Sequence, residues 1–197
     1  SREEAWSDWL EWVVCQLKSP AAVFDVFGQR LPRVLQALPS LTISTQREVS
    51  VLRGHVDRRG RLDLVIRYGS AALLVVEVKV TGADNADIGK HAGYHEWLRE
   101  QRVEASTAVV LAVDGRQTDY HGFRLVRWQD VCRKLRWYLQ SSSSEDLIVR
   151  ALLCGFVGAI EQRLMGFRSE TVRDILNNRL PTFDSRVIDY LDSTIRR

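Results

Sequence analysis

Over the first 40 residues apolar side chains return every three or four positions, which sets Trp6, Trp9, Leu10, Val13 and Leu17 on one helix face. Ser19-Pro20 stops that helix and starts another, because proline suits a helix's first turn and disrupts its interior. The second helix carries Val23, Phe24, Phe27, Leu31, Val34, Leu35 and Leu38, with a kink expected at Pro32 and an end near Pro39. Over residues 41–52 the period falls to two, the mark of a strand. Further strands are expected at 61–68, 73–80 and 107–113, each rich in Val, Ile and Leu and bounded by Gly, Asp or Ser.

Residues 85–101 read as a helix, so the centre of the chain runs strand, strand, strand, helix, strand. That order implies an α/β protein, with a central mixed β-sheet of four to five strands flanked by helices. The fifth strand is expected at 123–127, and residues 130–140 follow as a helix through Val131, Leu135 and Tyr138 or Leu139. Four serines at 141–144 read as a linker. The expected organisation is a core domain over 1–140 and a helical C-terminal extension, 145–197, packed on it.

Composition narrows the class without choosing a function. A chain of 197 residues, 45% apolar and 27% charged, is long enough to bury a core unaided by disulfides or structural metals. Apolar runs such as residues 71–76 are far short of the ~20 residues that span a bilayer, and no charged-then-apolar leader is seen. A soluble, cytoplasmic protein with no membrane partner is expected. The cysteines, Cys15, Cys132 and Cys154, are odd in number and have no C-x-x-C pairing, so they read as small core residues. A net charge of +3 is too small to announce a nucleic-acid binder. Of the 28 basic residues only four are lysine, at 18, 79, 90 and 134.

The chemistry concentrates in Leu62-Asp63-Leu64, followed by Val76-Glu77-Val78-Lys79. Apolar residues take the even positions in both strands, so Asp63, Glu77 and Lys79 share the other face. A three-residue turn at 69–71 sets Asp63 opposite Glu77, side-chain roots about 5 Å apart, with Lys79 about 7 Å away. A two-residue turn would part the carboxylates. Two carboxylates facing each other inside a sheet are costly unless a positive charge lies between them, and oxygen-only ligands suit Mg²⁺ or Mn²⁺. Lys79 adds a compact donor for orienting water and stabilising charge. The plainer alternative makes Glu77 and Lys79 a solvated pair on an edge strand.

In these residues the chain resembles the PD-(D/E)xK nuclease superfamily, whose restriction-endonuclease-like core is a helix, three antiparallel strands, a helix and a fourth strand. Asp63, thirteen intervening residues and Glu77-Val78-Lys79 carry the likeness, which covers residues 48–115. No proline precedes Asp63. The resemblance implies that Asp63, Glu77 and the Val78 carbonyl hold the cation, and that an acidic residue from an earlier element, here Glu48, assists. It also implies a Q-x-x-x-Y motif on the next helix, where this chain has Lys90 and Tyr94. Lys90, Tyr94, Trp97 and Gln101 share a helical stripe suited to a nucleic-acid backbone. Arg59 and Arg61, within a cluster that includes Arg47, Arg53 and Arg58, would contact phosphates. His91 and His95 are four apart but have no further spacing that commits them to metal.

The expectation is a Mg²⁺- or Mn²⁺-dependent nuclease, most simply a deoxyribonuclease, hydrolysing phosphodiesters with a metal-activated water. The superfamily it resembles includes restriction and repair enzymes and effectors of phage defence, which implies a homodimer or a partner that supplies specificity. The alternative is a nucleic-acid-binding or assembly module that keeps the fold and has lost catalysis.

Overall fold

The computed structural model describes residues 2–17, 19–36, 44–52, 59–83, 97, 107–120, 122–141 and 147–166. Strands β1 (Ser44–Leu52), β2 (Arg59–Tyr68) and β3 (Ala71–Val78) form an antiparallel meander. β4 (Thr107–Ala112) lies parallel to β3, and β6 (Phe123–Arg127) parallel to β4. The two-residue β5 (Asp119–Tyr120) pairs with β6 and closes the order β1-β2-β3-β4-β6-β5. The mixed sheet is as expected, but among the described residues it has six strands. The extra one is too short to leave a periodic signal.

β3 and β4 lie inside the sheet, and every residue from 72 to 78 and from 108 to 112 is buried, so both faces of these strands are covered. On one face Leu64, Ile66, Leu74, Val76, Val109 and Leu111 meet the described helices α1 (Arg2–Gln16), α2 (Pro20–Val26), α4 (Trp128–Ser141) and α5 (Leu147–Arg163). On the other, Val65, Val75, Val110 and Phe123 form a second cluster, with Trp97 against it. The alternation holds through most of β2 and β3. Leu62 departs from it and joins the second cluster, past the point where the recorded β2–β3 pairing ends at Leu64 and Val76.

The β2–β3 turn corrects one expectation. Tyr68 pairs with Ala71, so the loop is the two-residue Gly69-Ser70, with Gly69 at φ 57° where a side chain would be strained. Arg67 pairs with Ala72 but Ile66 with Leu74, leaving Leu73 as a bulge. Both Leu73 and Leu74 enter the main core. The extra residue restores the offset that a three-residue loop would have given, so from Ile66 and Leu74 to Leu64 and Val76 the predicted register stands for another reason.

The second helix is also different. Ser19 Oγ accepts from Ala22 N–H at 3.1 Å and Pro20 fills the first position, so α2 starts as expected. It ends at Val26, with Gly28 at φ 62° just past the Phe27 cap, where Gln29 N–H closes on Phe24 O at 2.9 Å. Pro32 does not kink a continuous helix. Its carbonyl opens the single turn α3 (Arg33–Gln36), accepting from Leu35 N–H at 2.9 Å.

Leu153, Phe156, Val157 and Ile160 of α5 belong to the main core, and residues 167–197 of the expected extension lie outside those described. An Arg136–Glu161 ion pair joins α4 to α5. Beside it, burial and the nearby Glu161 push the Cys132 thiol up to about 12, against the pull of Arg136. Cys154 is half-buried, but Cys15 is exposed, against the expectation of a core position. Among the described residues no helix is long and apolar enough to cross a membrane.

Phe156→Ala should therefore cost about 3–5 kcal/mol in urea unfolding, whereas Ile148→Ala on the same helix, 69% exposed, should cost under about 0.5 kcal/mol.

Candidate functional site

Asp63, Glu77 and Lys79 meet where β3 ends. Glu77 has no exposed surface although it stands in a strand otherwise wholly apolar. Its Oε1 accepts from Lys79 Nζ at 3.0 Å, and the Lys79 side chain is only 15% exposed. The solvated edge-strand alternative does not describe this pair, since β3 is the third strand of six and Glu77 is shut off from water.

Asp63 reaches the same place by a different contact. Continued past Leu64 and Val76, the β2–β3 ladder would set Asp63 across from Glu77. Instead of a further backbone rung, Val78 N–H donates to Asp63 Oδ2 at 2.8 Å. The carboxylate thus occupies the end of the ladder and is half-buried there. Val78, whose carbonyl was expected to serve the site, contributes its N–H to hold Asp63.

Lys79 gathers more negative charge than the strand pair alone supplies. Glu3, in the first turn of α1, places Oε2 3.6 Å from Nζ. Burial works to lower the lysine's pKa, but attraction by Glu77 and the hydrogen bond that Lys79 donates to it, with Glu3 and Asp63 adding, outweigh it. The amine therefore titrates above its ordinary 10.5. The cost of burying Glu77, which pointed to a bound cation, is thus met in part by this lysine.

The Lys79 main chain is secured as well. Its N–H donates to Leu111 O at 2.7 Å, and its carbonyl accepts from Trp128 Nε1 at 2.8 Å. Sequence reasoning missed both Glu3 and Trp128. An acid in a first helical turn is a common favourable partner of the helix dipole and carries no mark of a site. Trp128 sits at a strand–helix junction and reads as core.

The other expected residues divide. Glu48 has a described backbone in β1, between Arg47, opposite Leu64, and Val49, opposite Leu62, which sets it across from Asp63 in register. The backbones of Arg59 and Arg61 lie in β2, and the side chains of all three fall outside the described residues. Lys90 and Tyr94 lie outside them altogether. Trp97, from the proposed nucleic-acid stripe, packs instead on the second face of the sheet, with the Arg67 guanidinium 5.6 Å from its ring centre. Among the described residues, no group of three or more His, Cys, Asp or Glu is gathered as a metal site. The chain matches no family model, no curated protein and no solved structure.

Removing the lysine from a buried pair exposes the full desolvation cost of its partner, so Lys79→Met should lose about 3–5 kcal/mol at neutral pH. With the folded pKa of Lys79 raised, its contribution is complete below 10.5 and lost as pH rises through the higher folded value. The stability gap between wild type and Lys79→Met, followed by urea titration from pH 7 upward, should stay constant to about pH 10 and then narrow.

Proposed function

We propose that the chain is a metal-dependent nuclease of the PD-(D/E)xK type, acting on phosphodiesters and most simply on DNA. The observation that carries this reading is the convergence of Asp63, buried Glu77 and Lys79 at the end of β3. The antiparallel β1-β2-β3 meander followed by parallel β4 supports it, being the strand arrangement of a restriction-endonuclease-like core. Asp63, Glu77 and the Val78 carbonyl would hold Mg²⁺ or Mn²⁺. Two carboxylates fit such an ion, which keeps several waters and needs no all-protein cage. When bound, the ion would lower the pKa of a water and offset charge on the attacked phosphate.

Lys79 is the residue whose part is most specific. Its ammonium already rests between Glu77 and Glu3 and is held charged at neutral pH. A compact charge in that place would orient the water and steady the negative phosphate. Glu48 would assist from β1, and Lys90, Tyr94, Arg59 and Arg61 would contact the nucleic acid. Action in the cytoplasm as a homodimer, or with a partner supplying specificity, in restriction, repair or phage defence, belongs to the same proposal.

A second reading is a nucleic-acid-binding or assembly module without catalysis. It is favoured by the Lys79–Glu77 pair, which goes far to neutralise the buried acid with no divalent ion.

Purified protein with Mg²⁺ or Mn²⁺ should nick or degrade DNA. Asp63→Asn, which retains an acceptor for Val78 N–H, and Lys79→Arg, which retains the charge, should stay folded and lose on the order of 10²-fold in rate. Cleavage at wild-type rate by both variants would remove the site from this position. In calorimetric titration the nuclease should bind Mn²⁺ in an Asp63-dependent manner, and absence of that heat would leave the module.

A further inference from the structure

The Cα of Lys79 lies between two pinned peptide planes. The preceding peptide is held by Lys79 N–H on Leu111 O at 2.7 Å, in continuation of the β3–β4 ladder. The following one has left the strand, and its Lys79 carbonyl is held by Trp128 Nε1 at 2.8 Å. Peptides are planar, so securing both neighbours of a Cα determines where its Cβ points. Freeing either would let the Lys79 side chain swing away from Glu77.

Trp128 is suited to this duty. It is wholly buried, opens α4 directly after β6, and packs its ring against Trp6 at 5.7 Å and Phe156 at 6.3 Å. Trp6 belongs to α1, one turn along from Glu3, whose carboxylate reaches Lys79. Residues three apart share a helix face, so locating the Trp6 ring locates the turn that carries Glu3. An indole has one N–H donor and no acceptor, whereas phenylalanine would fill much of the same core and leave the carbonyl unbonded.

We infer that Trp128 is a positioning residue for the Lys79–Glu77–Glu3 cluster, its N–H orienting the Lys79 backbone and its ring seating the helix that supplies Glu3. The orientation of Lys79 stands apart from what the site does. Only the kinetic part of the test below rests on the nuclease reading.

The clean perturbation replaces the indole N–H by sulfur, through benzothienylalanine at position 128, with Trp128→Phe as the simpler companion. With only four lysines, a sample labelled at the lysine ε-carbons gives four resolvable methylene signals. In wild type the two Lys79 ε-protons should be inequivalent and show a nuclear Overhauser contact to the Glu3 side chain. In both variants they should merge and lose that contact. Lys134, on the same helix and paired with Asp25 at 2.8 Å, should keep its signal. Manganese-dependent cleavage should fall about tenfold in kcat with KM for DNA nearly unchanged. An unchanged Lys79 signal overturns the inference, and so does a parallel change at Lys134, which would mean that α4 as a whole had moved. If wild type cuts no DNA, the nuclease reading falls and the Lys79 signals alone decide the role of Trp128.

Discussion

A carboxylate without exposed surface stands next to the end of a strand whose other residues are all apolar, and most of the site follows from keeping it there. Burying Glu77 is unfavourable unless a cation and hydrogen bonds replace the lost water. Lys79 supplies both at 3.0 Å, because it stands two residues on and so returns to the same side of the chain. One residue earlier, the lysine would lie on the opposite face of the sheet. The pair therefore ties the register of the central strands to the position of one ammonium group. That ammonium in turn draws in Glu3 from the first helix and the field of Asp63.

The end of the β2–β3 ladder is the second element. Where another backbone rung would form, Asp63 takes the Val78 N–H, and the two acidic strands meet through a side chain. This leaves a half-buried carboxylate next to a fully buried one, at the carboxyl end of β3 and beside parallel β4. In α/β sheets the carboxyl ends of parallel strands are the usual place for a ligand. The geometry suits the proposed hydrolysis, in which two acids would hold an ion and the lysine would face the phosphate. The same geometry explains why a non-catalytic module is the rival, since the lysine already offsets much of the charge.

The helical layer is more than cover. Trp6 of α1, Trp128 of α4 and Phe156 of α5 meet in one aromatic cluster behind the site, and Trp9 stacks near Trp6 at 6.3 Å. Rings of this size bury large areas and restrict one another's orientation. The cluster therefore transmits the positions of three helices to the single carbonyl that Trp128 holds. A core of smaller aliphatic residues could bury the same face without fixing that carbonyl.

How much of this was legible beforehand depends on the distance along the chain over which each feature is set. The two-residue period of strands is a local steric rule, so the amino-acid order alone put Leu64 and Ile66 in one core and grouped Asp63 with Glu77 and Lys79. It also located the Ser19-Pro20 helix start, because a cap and a proline act within one turn. The turn is not legible this way, because a bulge at Leu73 compensates for a shorter loop, and bulges are settled by which leucines the core can accept. Six-strand order, the reach of Glu3 and the grip of Trp128 on Lys79 all join residues remote in sequence, the last pair 49 positions apart. No periodicity spans such a gap. Those contacts exist only once the helices have packed on the sheet, so the local pattern determined which residues could share a face and the packing decided which of them touch.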